Sequence, residues 1–530
     1  MVPRFSTCLL IFLLGLSSAY HANAADEPTK RPNIVFIFTD DHAVQSIGAY
    51  GSVINKTPNI DRIANEGAIF LNSFCGNSIC GPSRATILTG LHSHANGFKT
   101  NTDRFDSSQQ TFPKLLQKAG YTTAMIGKYH LWGDPVGFDH WMVLPGQGEY
   151  YNPDLLTPEG RIRIPGHCTN VVTDLGLKWL KEGRDKDKPF MLMLQHKAPH
   201  RTWMPAPEEL HLYRDKDIPE PTTLFDDYEG RGPAAADQTM EIDRHMYFAY
   251  DLYCPIDESE PLFKVHQRKL ARMTPEQRAE WDKWFEPENE AFRKAKPNLS
   301  EKEVVRWKYQ RYVKNYLRCI AGVDRNIGRV LDYLDDNPGL KENTIVIYSS
   351  DQGFYLGEHG WYDKRWMYEE SLAMPLVARW PRVIKPGTRV EELVQNIDYA
   401  PTFLDIAGTK PETPMQGRSL LDLLDEDAEP WRDAVYYHYY EYARNIHNVP
   451  PHEGIRTKQF SLMHFYGPKQ GYWEFYDLDK DPQQLKSVYN DPVYAETIKQ
   501  LKVDLKALQE QYQVGVEEPT KVDKPPKGKE

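Results

Sequence analysis

The residues with chemistry to offer fall in a few short stretches of this 530-residue chain. Cys80-Gly81-Pro82-Ser83-Arg84-Ala85-Thr86-Ile87-Leu88-Thr89-Gly90 reads as a short helix. Pro82 suits a first helical position, where a missing N–H costs nothing, and Gly90 suits the left-handed stop. A cysteine at such a start sits where free N–H groups and the positive end of the helix dipole favour an anion, or a nucleophile that attacks one. Arg84 adds a cation one turn on. Asp40 and Asp41 directly follow an apolar run, and two adjacent carboxylates there are costly unless a cation receives them. Asp351 and Gln352 repeat the arrangement after another apolar run. The four form an all-oxygen set, which suits a hard cation such as Ca²⁺ or Mg²⁺ and not zinc. Lys128 and His130, two residues apart on extended backbone, are expected to point the same way. His200 ends the polar stretch Gln195-His196-Lys197-Ala198-Pro199-His200 after a third apolar run, and His196 reads as an ordinary surface histidine.

Cys-x-Pro-Ser-Arg followed by Leu-Thr-Gly is similar to the signature of the type I sulfatases, members of the alkaline-phosphatase-like superfamily. Gly127-Lys128-Tyr129-His130 looks like the same family's Gly-Lys-x-His element. The run Gly353 to Ser371 resembles carbohydrate sulfatases, including those acting on 6-sulfated glucosamine in heparan or mucin glycans and those acting on algal polysaccharides such as ulvan. The resemblance implies that Cys80 is oxidised to formylglycine (3-oxoalanine) by a formylglycine-generating or anaerobic sulfatase-maturating enzyme. It implies that Asp40, Asp41, Asp351 and Gln352, with residue 80, hold Ca²⁺ or else Mg²⁺. Gln352 departs from the Asn or His usual in the family. Arg84, Lys128 and Lys364 would neutralise the sulfate, and Asp351 would help activate the hydrated aldehyde that attacks sulfur. His200, with Lys364, would protonate the departing oxygen, and His130 would deprotonate the second hydroxyl so that sulfate leaves. His359, Arg365, His438 and His452 are candidate sugar contacts, as are His447 and Arg456.

Two other readings compete. A phosphate or phosphonate ester hydrolase on the same fold would carry extra His and Asp ligands for a second metal, and no such set is evident. A glycan-binding protein on a degenerate scaffold would have lost Cys80, Arg84 or Lys128, and all three are present.

The elements that must position these residues read as an α/β fold, a large and mostly parallel sheet flanked by helices, with a smaller C-terminal α+β domain. Ile34–Phe38, Tyr121–Ile126, Pro189–Leu194 and Asn343–Tyr348 are apolar runs of the kind buried on both faces of a parallel sheet, and Leu376–Trp380 is one more strand. Polar chemistry at the carboxyl ends of such strands converges on one sheet edge. Helices are expected over Asn59–Phe70, Phe112–Ala119, Val172–Glu182, Tyr399–Ala407 and, as one long or two abutting helices, Glu303–Asp336. Residues 201–300 are an irregular insertion, with an exposed charged helix over Thr274–Lys294. Short strands and a closing helix, Tyr494–Tyr512, occupy the domain from 429 to 515, leaving 25–428 as the catalytic domain.

Residues 1–24 read as a secretory signal peptide, with a short apolar core and Ala22-Asn23-Ala24 as its cleavage site. The core is shorter than the roughly 20 residues that span a bilayer, so an exported protein with no membrane span is expected, periplasmic, secreted or in a lysosome-like lumen. Residues 516–530 read as a disordered tail. A net charge of −11 excludes a general nucleic-acid or membrane-surface binder, whose footprint is basic. Besides Cys8 and Cys80, the four cysteines Cys75, Cys168, Cys254 and Cys319 allow two disulfides or four free thiols.

Overall fold

The computed structural model describes residues 31–424, 430–441, 447–467 and 470–515. The signal-peptide and tail expectations lie outside them. Ten strands build the main sheet: β1 (Asn33–Thr39), β2 (Ala68–Phe74), β3 (Thr122–Lys128), β4 (His140–Leu144), β5 (Asp154–Thr157), β6 (Gly160–Arg163), β7 (Phe190–Gln195), β8 (Thr344–Ser350) and, past the small hairpin of β9 (Tyr355–Leu356) and β10 (Tyr362–Asp363), β11 (Leu376–Arg379) and β12 (Thr388–Gln395). Their order is β12-β2-β11-β8-β1-β7-β3-β4-β5-β6. The centre is parallel: β1 pairs with β8 on one side and β7 on the other, and β3 pairs with β7. Only β11 and the β5–β6 edge run antiparallel to their neighbours.

Burial on both faces explains the continuous apolar sequence of the central strands. On one face lie α1 (Pro58–Asn65), α4 (Cys168–Lys178) and the 35-residue α6 (Glu301–Asp335), packed on Val35, Ile37, Leu192 and Val346. On the other lie α2 (Cys80–Thr89), α3 (Phe112–Lys118) and α7 (Tyr399–Ile406), packed on Ile34, Phe36, Met193 and Ile347. The helix expected over Asn59–Phe70 ends at Asn65, and the residues from Ala68 are strand β2. Gly67 marks the switch, because a Cβ there would lie 2.0 Å from the Ala378 carbonyl of β11. The charged helix of the insertion, α5 (Pro275–Ala295), is not simply exposed: it buries Trp281, Phe285, Asn289 and Phe292. The five described cysteines are all buried and unbridged, so the disulfide alternative falls.

The C-terminal sheet is antiparallel, β13 (Ala434–Tyr439), β14 (His452–Thr457), β15 (Phe460–Gly467) and β16 (Gln470–Asp477) in sequence order. Strand β14 escaped the sequence reading, since His452-Glu453-Gly454 breaks its apolar pattern. Helix α8 (Ala495–Gln511) packs Ile498, Leu501 and Leu505 on the core formed with Tyr436, Ile455, Leu462 and Phe475. Glu453 fastens it, accepting hydrogen bonds from Gln509 Nε2 (2.8 Å) and Tyr436 OH (2.9 Å), with His464 Nδ1 at 3.8 Å.

Two outcomes test these contacts. Gly127 has φ 113°, and a Cβ on it would lie 1.8 Å from the Gln195 carbonyl of the paired strand. Gly127→Ala should therefore cost more than about 2 kcal/mol, and an unchanged thermal midpoint would refute the register. Burial opposes ionisation of Glu453, yet its His464, His438, Gln509 and Tyr436 contacts outweigh it and hold the carboxyl at about 2, below its usual 4.5. A depressed folded pKa gives stability that is present above pH 4.5 and lost as pH falls toward 2. The melting gap between the wild type and Glu453→Gln should be widest near neutrality and close across that window.

Candidate active site

Register places the chemistry. Phe38 pairs with both Ser349 of β8 and Gln195 of β7, and Gln195 also pairs with Gly127 of β3, so the segments leaving β1, β8, β7 and β3 emerge level at one edge. Asp40 and Asp41 follow β1, Asp351 and Gln352 follow β8, His200 lies beyond β7, and Lys128 is the last residue of β3. Cys80 is the first residue of α2, two residues before the expected start, and Gly90 caps that helix at φ 66°. The first helical N–H groups are not all free for an anion, because Gly81 N already donates to Asn101 Oδ1 (3.0 Å).

One oxygen from each of Asp40, Asp41 and Asp351 lies within 4.8 Å of the others, and all three residues are fully buried. Asp40, Cys80 and His200 form a second such group. Asp40 Oδ1 and Gln352 Oε1 are buried with no hydrogen-bond partner among the described residues. Unpaired buried acceptors beside three carboxylates are the arrangement that a hard divalent cation completes, so the residues fit a metal. Gln352 donates its Nε2 to Asp41 Oδ1 and lies 4.0 Å from Cys80 Sγ. Burial pushes Asp41 up to about 6, against the pull of Lys364 and with Asp351 adding to the push. Burial likewise pushes the Cys80 thiol up to about 12, so an unmodified thiol here is a poor nucleophile at neutral pH.

Cations match the carboxylates one for one. Arg84 donates Nε and Nη2 to Asp351 Oδ2 (3.1 and 2.9 Å) and Nη1 to the Lys128 carbonyl and Gln195 Oε1 (2.7 Å each). Lys128 Nζ donates to Asp40 Oδ2 and, at 2.5 Å, to Gln147 Oε1. Lys364 Nζ bridges both oxygens of Asp41 (2.7 and 2.8 Å). Burial works against charge on Lys364, but Asp41, Cys80 and Asp363 outweigh it and hold its pKa above the usual value. His200 donates Nδ1–H to the Arg201 carbonyl (2.6 Å), which leaves Nε2 3.8 Å from Asp41 Oδ2. His130 is not on extended backbone beyond Lys128: it has φ 60°, and Gln147 lies between the two side chains, touching both. Burial, then the charges of Lys128 and its neighbours, hold both His130 and His200 well below the ordinary histidine range.

Not every expected residue joins this group. His359 is fully buried, with Nδ1 3.0 Å from Asp226 and Nε2 3.7 Å from Glu370. His452 is fully buried too, accepting from Met367 N and stacking on Phe465. His438 stacks on Tyr440 at 3.8 Å, and Arg456 pairs with Glu369. Arg365 and His447 do approach the pocket, both against Asp363, which adjoins Lys364. His196, expected on the surface, is fully buried. Sequence reading missed Gln147, Gln195, Tyr316 and Asp363. Gln147 stood out only as a polar residue between two glycines, and Tyr316 only as part of an apolar stripe.

This sheet and edge are those of the alkaline-phosphatase-like class of ester hydrolases. Residues 32–409 match the family described as Sulfatase, and residues 357–511 match N-sulphoglucosamine sulphohydrolase, C-terminal. The chain belongs to the sulfatase family and is a sulfuric ester hydrolase. It is 46% identical to the N-acetylglucosamine-6-O-sulfatase of Bacteroides thetaiotaomicron over 95% of this chain and 91% of that one. The human N-acetylglucosamine-6-sulfatase is 27% identical over 84% of this chain and 73% of its own. A solved structure of a protein in complex with its substrate D-glucosamine-2-N,6-O-disulfate superposes with a TM-score of 0.87 at 46% identity, covering 92% of this chain and 99% of that one. Among the described residues no helix is long and apolar enough to cross a membrane.

The orphaned oxygens predict a metal response. Adding a divalent cation to chelator-treated protein should raise the melting temperature by several degrees at about 100 times the Kd. Asp40→Asn should abolish the rise, and a wild type with no response would remove the metal site.

Proposed function

We propose that this protein removes a sulfate ester from a carbohydrate, with a 6-O-sulfated glucosamine unit of a glycosaminoglycan or mucin glycan as the substrate class. The observation that carries this reading is the charge balance of the pocket. Three buried carboxylates, Asp40, Asp41 and Asp351, face Arg84, Lys128 and Lys364, so a bound divalent cation leaves this set net positive and ready for a sulfate. The names of the relatives at 46% and 27% identity support the glucosamine 6-sulfate choice. The ulvan-active relatives, at 26% and 25%, support it less.

Cys80 is formylglycine in the working enzyme on this reading, made by a dedicated maturase, and Asp40, Asp41, Asp351 and Gln352 hold Ca²⁺. When bound, the cation polarises the sulfate and the modified residue contributes the attacking oxygen. The remaining work belongs to the chain's own side chains. Arg84, Lys128 and Lys364 neutralise the sulfate oxygens that otherwise shield sulfur. His200 is held neutral by burial and by Lys128, Lys364 and Lys197, with its proton on Nδ1 toward the Arg201 carbonyl. The negative charge of a bound ester acts in the opposite sense, so Nε2 takes up a proton as substrate binds and delivers it, beside Lys364, to the departing sugar oxygen. His130 stays neutral at the pocket, and its tautomer decides whether it takes or gives a hydrogen bond. The proposed organisation is a signal peptide over 1–24, export to the periplasm or beyond, a catalytic domain to 428 and a C-terminal subdomain to 515. Arg201, the residue after His200, donates two hydrogen bonds to Asp251 deeper in the 201–300 insertion.

Peptide mass across Cys80, on protein made with formylglycine-generating capacity, should show a loss of about 18 Da. Sulfate release from glucosamine 6-sulfate should exceed release from 2-O- or 4-O-sulfated sugars, and Cys80→Ala should reduce it by at least about 10³-fold. Unmodified Cys80 in active enzyme, or turnover confined to phosphate esters, would refute the reading.

A further inference from the structure

The segment that leaves β3 climbs out of the pocket. Lys128 has no exposed surface, His130 is 8% exposed and Trp132 46%, while Leu131 between the last two is fully buried in the core. Trp132 is the most exposed tryptophan among the described residues. It stands beside the pocket, its ring centroid 6.4 Å from that of His130 and the two planes tilted by 43°. Its setting is fixed. Trp132 has φ 52°, Gly133 follows at φ 121°, and the indole Nε1–H donates to the Asn101 carbonyl (2.9 Å). Asn101 is itself tied to the site: its Oδ1 accepts from Gly81 N, next to Cys80, and its N donates to Glu441 Oε1, both at 3.0 Å. A large ring kept in solvent, on backbone that residues other than glycine rarely adopt, costs the fold on both counts. The one polar atom of the side chain is already bonded, so what it offers a ligand is aromatic surface. A pyranose answers that surface. Its axial C–H bonds form an apolar face whose slightly positive hydrogens meet the negative face of an aromatic ring, while hydroxyls and sulfates project from its edge.

We propose that Trp132 forms an outer subsite of the pocket, where its indole packs on the pyranose next to the sulfated sugar in a glycan chain. This rests on reading the pocket around Cys80 as a carbohydrate sulfatase centre. The rise in exposure from Lys128 to Trp132 favours the neighbouring sugar over the sulfated one. A sulfate held among the buried Arg84, Lys128 and Lys364 keeps its own sugar at the level of His130, and the next ring is the one that reaches the rim. Trp132 carries no charge, so this subsite selects for a sugar ring and not for a second sulfate. The enzyme therefore acts better on a glycan segment than on a lone monosaccharide.

Sulfate release by the full-length, matured enzyme is measured on N-acetylglucosamine 6-sulfate and on the two disaccharides in which that unit is preceded or followed by an unsulfated hexose. The wild type should prefer one disaccharide over the monosaccharide by about tenfold in kcat/KM, and Trp132→Ala should erase the preference, mainly through KM. Trp132→Phe, which keeps a ring without the N–H, should retain most of it. A wild type with no preference, a preference that survives Trp132→Ala, or equal losses on all three sugars overturns the proposal. Binding without turnover gives a second readout in the full-length Cys80→Ala protein. The Trp132 indole ¹⁵N–H signal, identified by its loss in Trp132→Phe, should shift more with the preferred disaccharide than with the monosaccharide, and equal shifts overturn the proposal. Release from the monosaccharide with no effect of Trp132 on either disaccharide overturns the outer subsite alone. A matured wild type that releases sulfate from none of the three overturns the underlying reading and the subsite with it.

Discussion

Everything at the exit edge follows from the difficulty of keeping ionised groups out of water. Asp40, Asp41 and Asp351 have no exposed surface, and an unpaired buried carboxylate is costly enough to be neutralised instead. Arg84, Lys128 and Lys364 each hold one of them closely, Asp351, Asp40 and Asp41 in turn. The pairing is also a functional reservoir. On the proposed reading, each cation is held by a carboxylate that a divalent metal would take over, leaving the cation to meet an incoming anion.

Holding such a cluster demands unusual backbone. Asp41 (φ 67°), His130 (φ 60°), Asp363 (φ 82°) and Arg365 (φ 101°) all occupy the left-handed half of conformational space, which residues other than glycine rarely adopt. The surroundings enforce it. Tyr316 of α6 accepts from Ala43 N (2.8 Å) and donates to the Asp41 carbonyl (2.6 Å), clamping the turn after β1 from behind. Asp41 N donates to Asp351 Oδ1 (3.0 Å), which ties the two carboxylate-bearing turns to each other. Strain of this kind is sustained because the ten-stranded sheet cannot shift its register without exposing its apolar strands.

Much of this was legible in the sequence because the central strands are hydrophobic without interruption and the polar residues stand immediately past their ends. Ile34–Phe38 followed by Asp40-Asp41, and Ile345–Tyr348 followed by Asp351-Gln352, announce both the sheet and its working edge. Strands β2, β4, β5, β6, β12 and β14 were not legible, since they are short, partly exposed or continuous with a helical pattern, and their pairing partners decide them. The histidines divide for a similar reason. His359 and His452 lie in aromatic, charged surroundings that look like a binding surface in sequence, yet they are buried against the rings of Trp361 and Phe465. Gln147 and Tyr316 act through contacts across 17 and 275 positions of chain, which no local pattern reveals.

Helix α6 carries one further implication. Lys308, on its first half, donates to the carbonyls of Asp243 and Met246 in the 201–300 insertion, and Tyr316, eight positions on, clamps Asp41. At 1.5 Å per residue those two anchor points are about 12 Å apart on one rigid rod. The irregular insertion and the turn that follows β1 therefore hang from a common beam. During divergence, a rebuilt insertion could alter the glycans admitted to the pocket at little chemical cost only while its docking on the first half of that beam was preserved. New specificities in this lineage would thus be expected to arise in the outward-facing loops of the insertion, with its helix-contacting residues changing last.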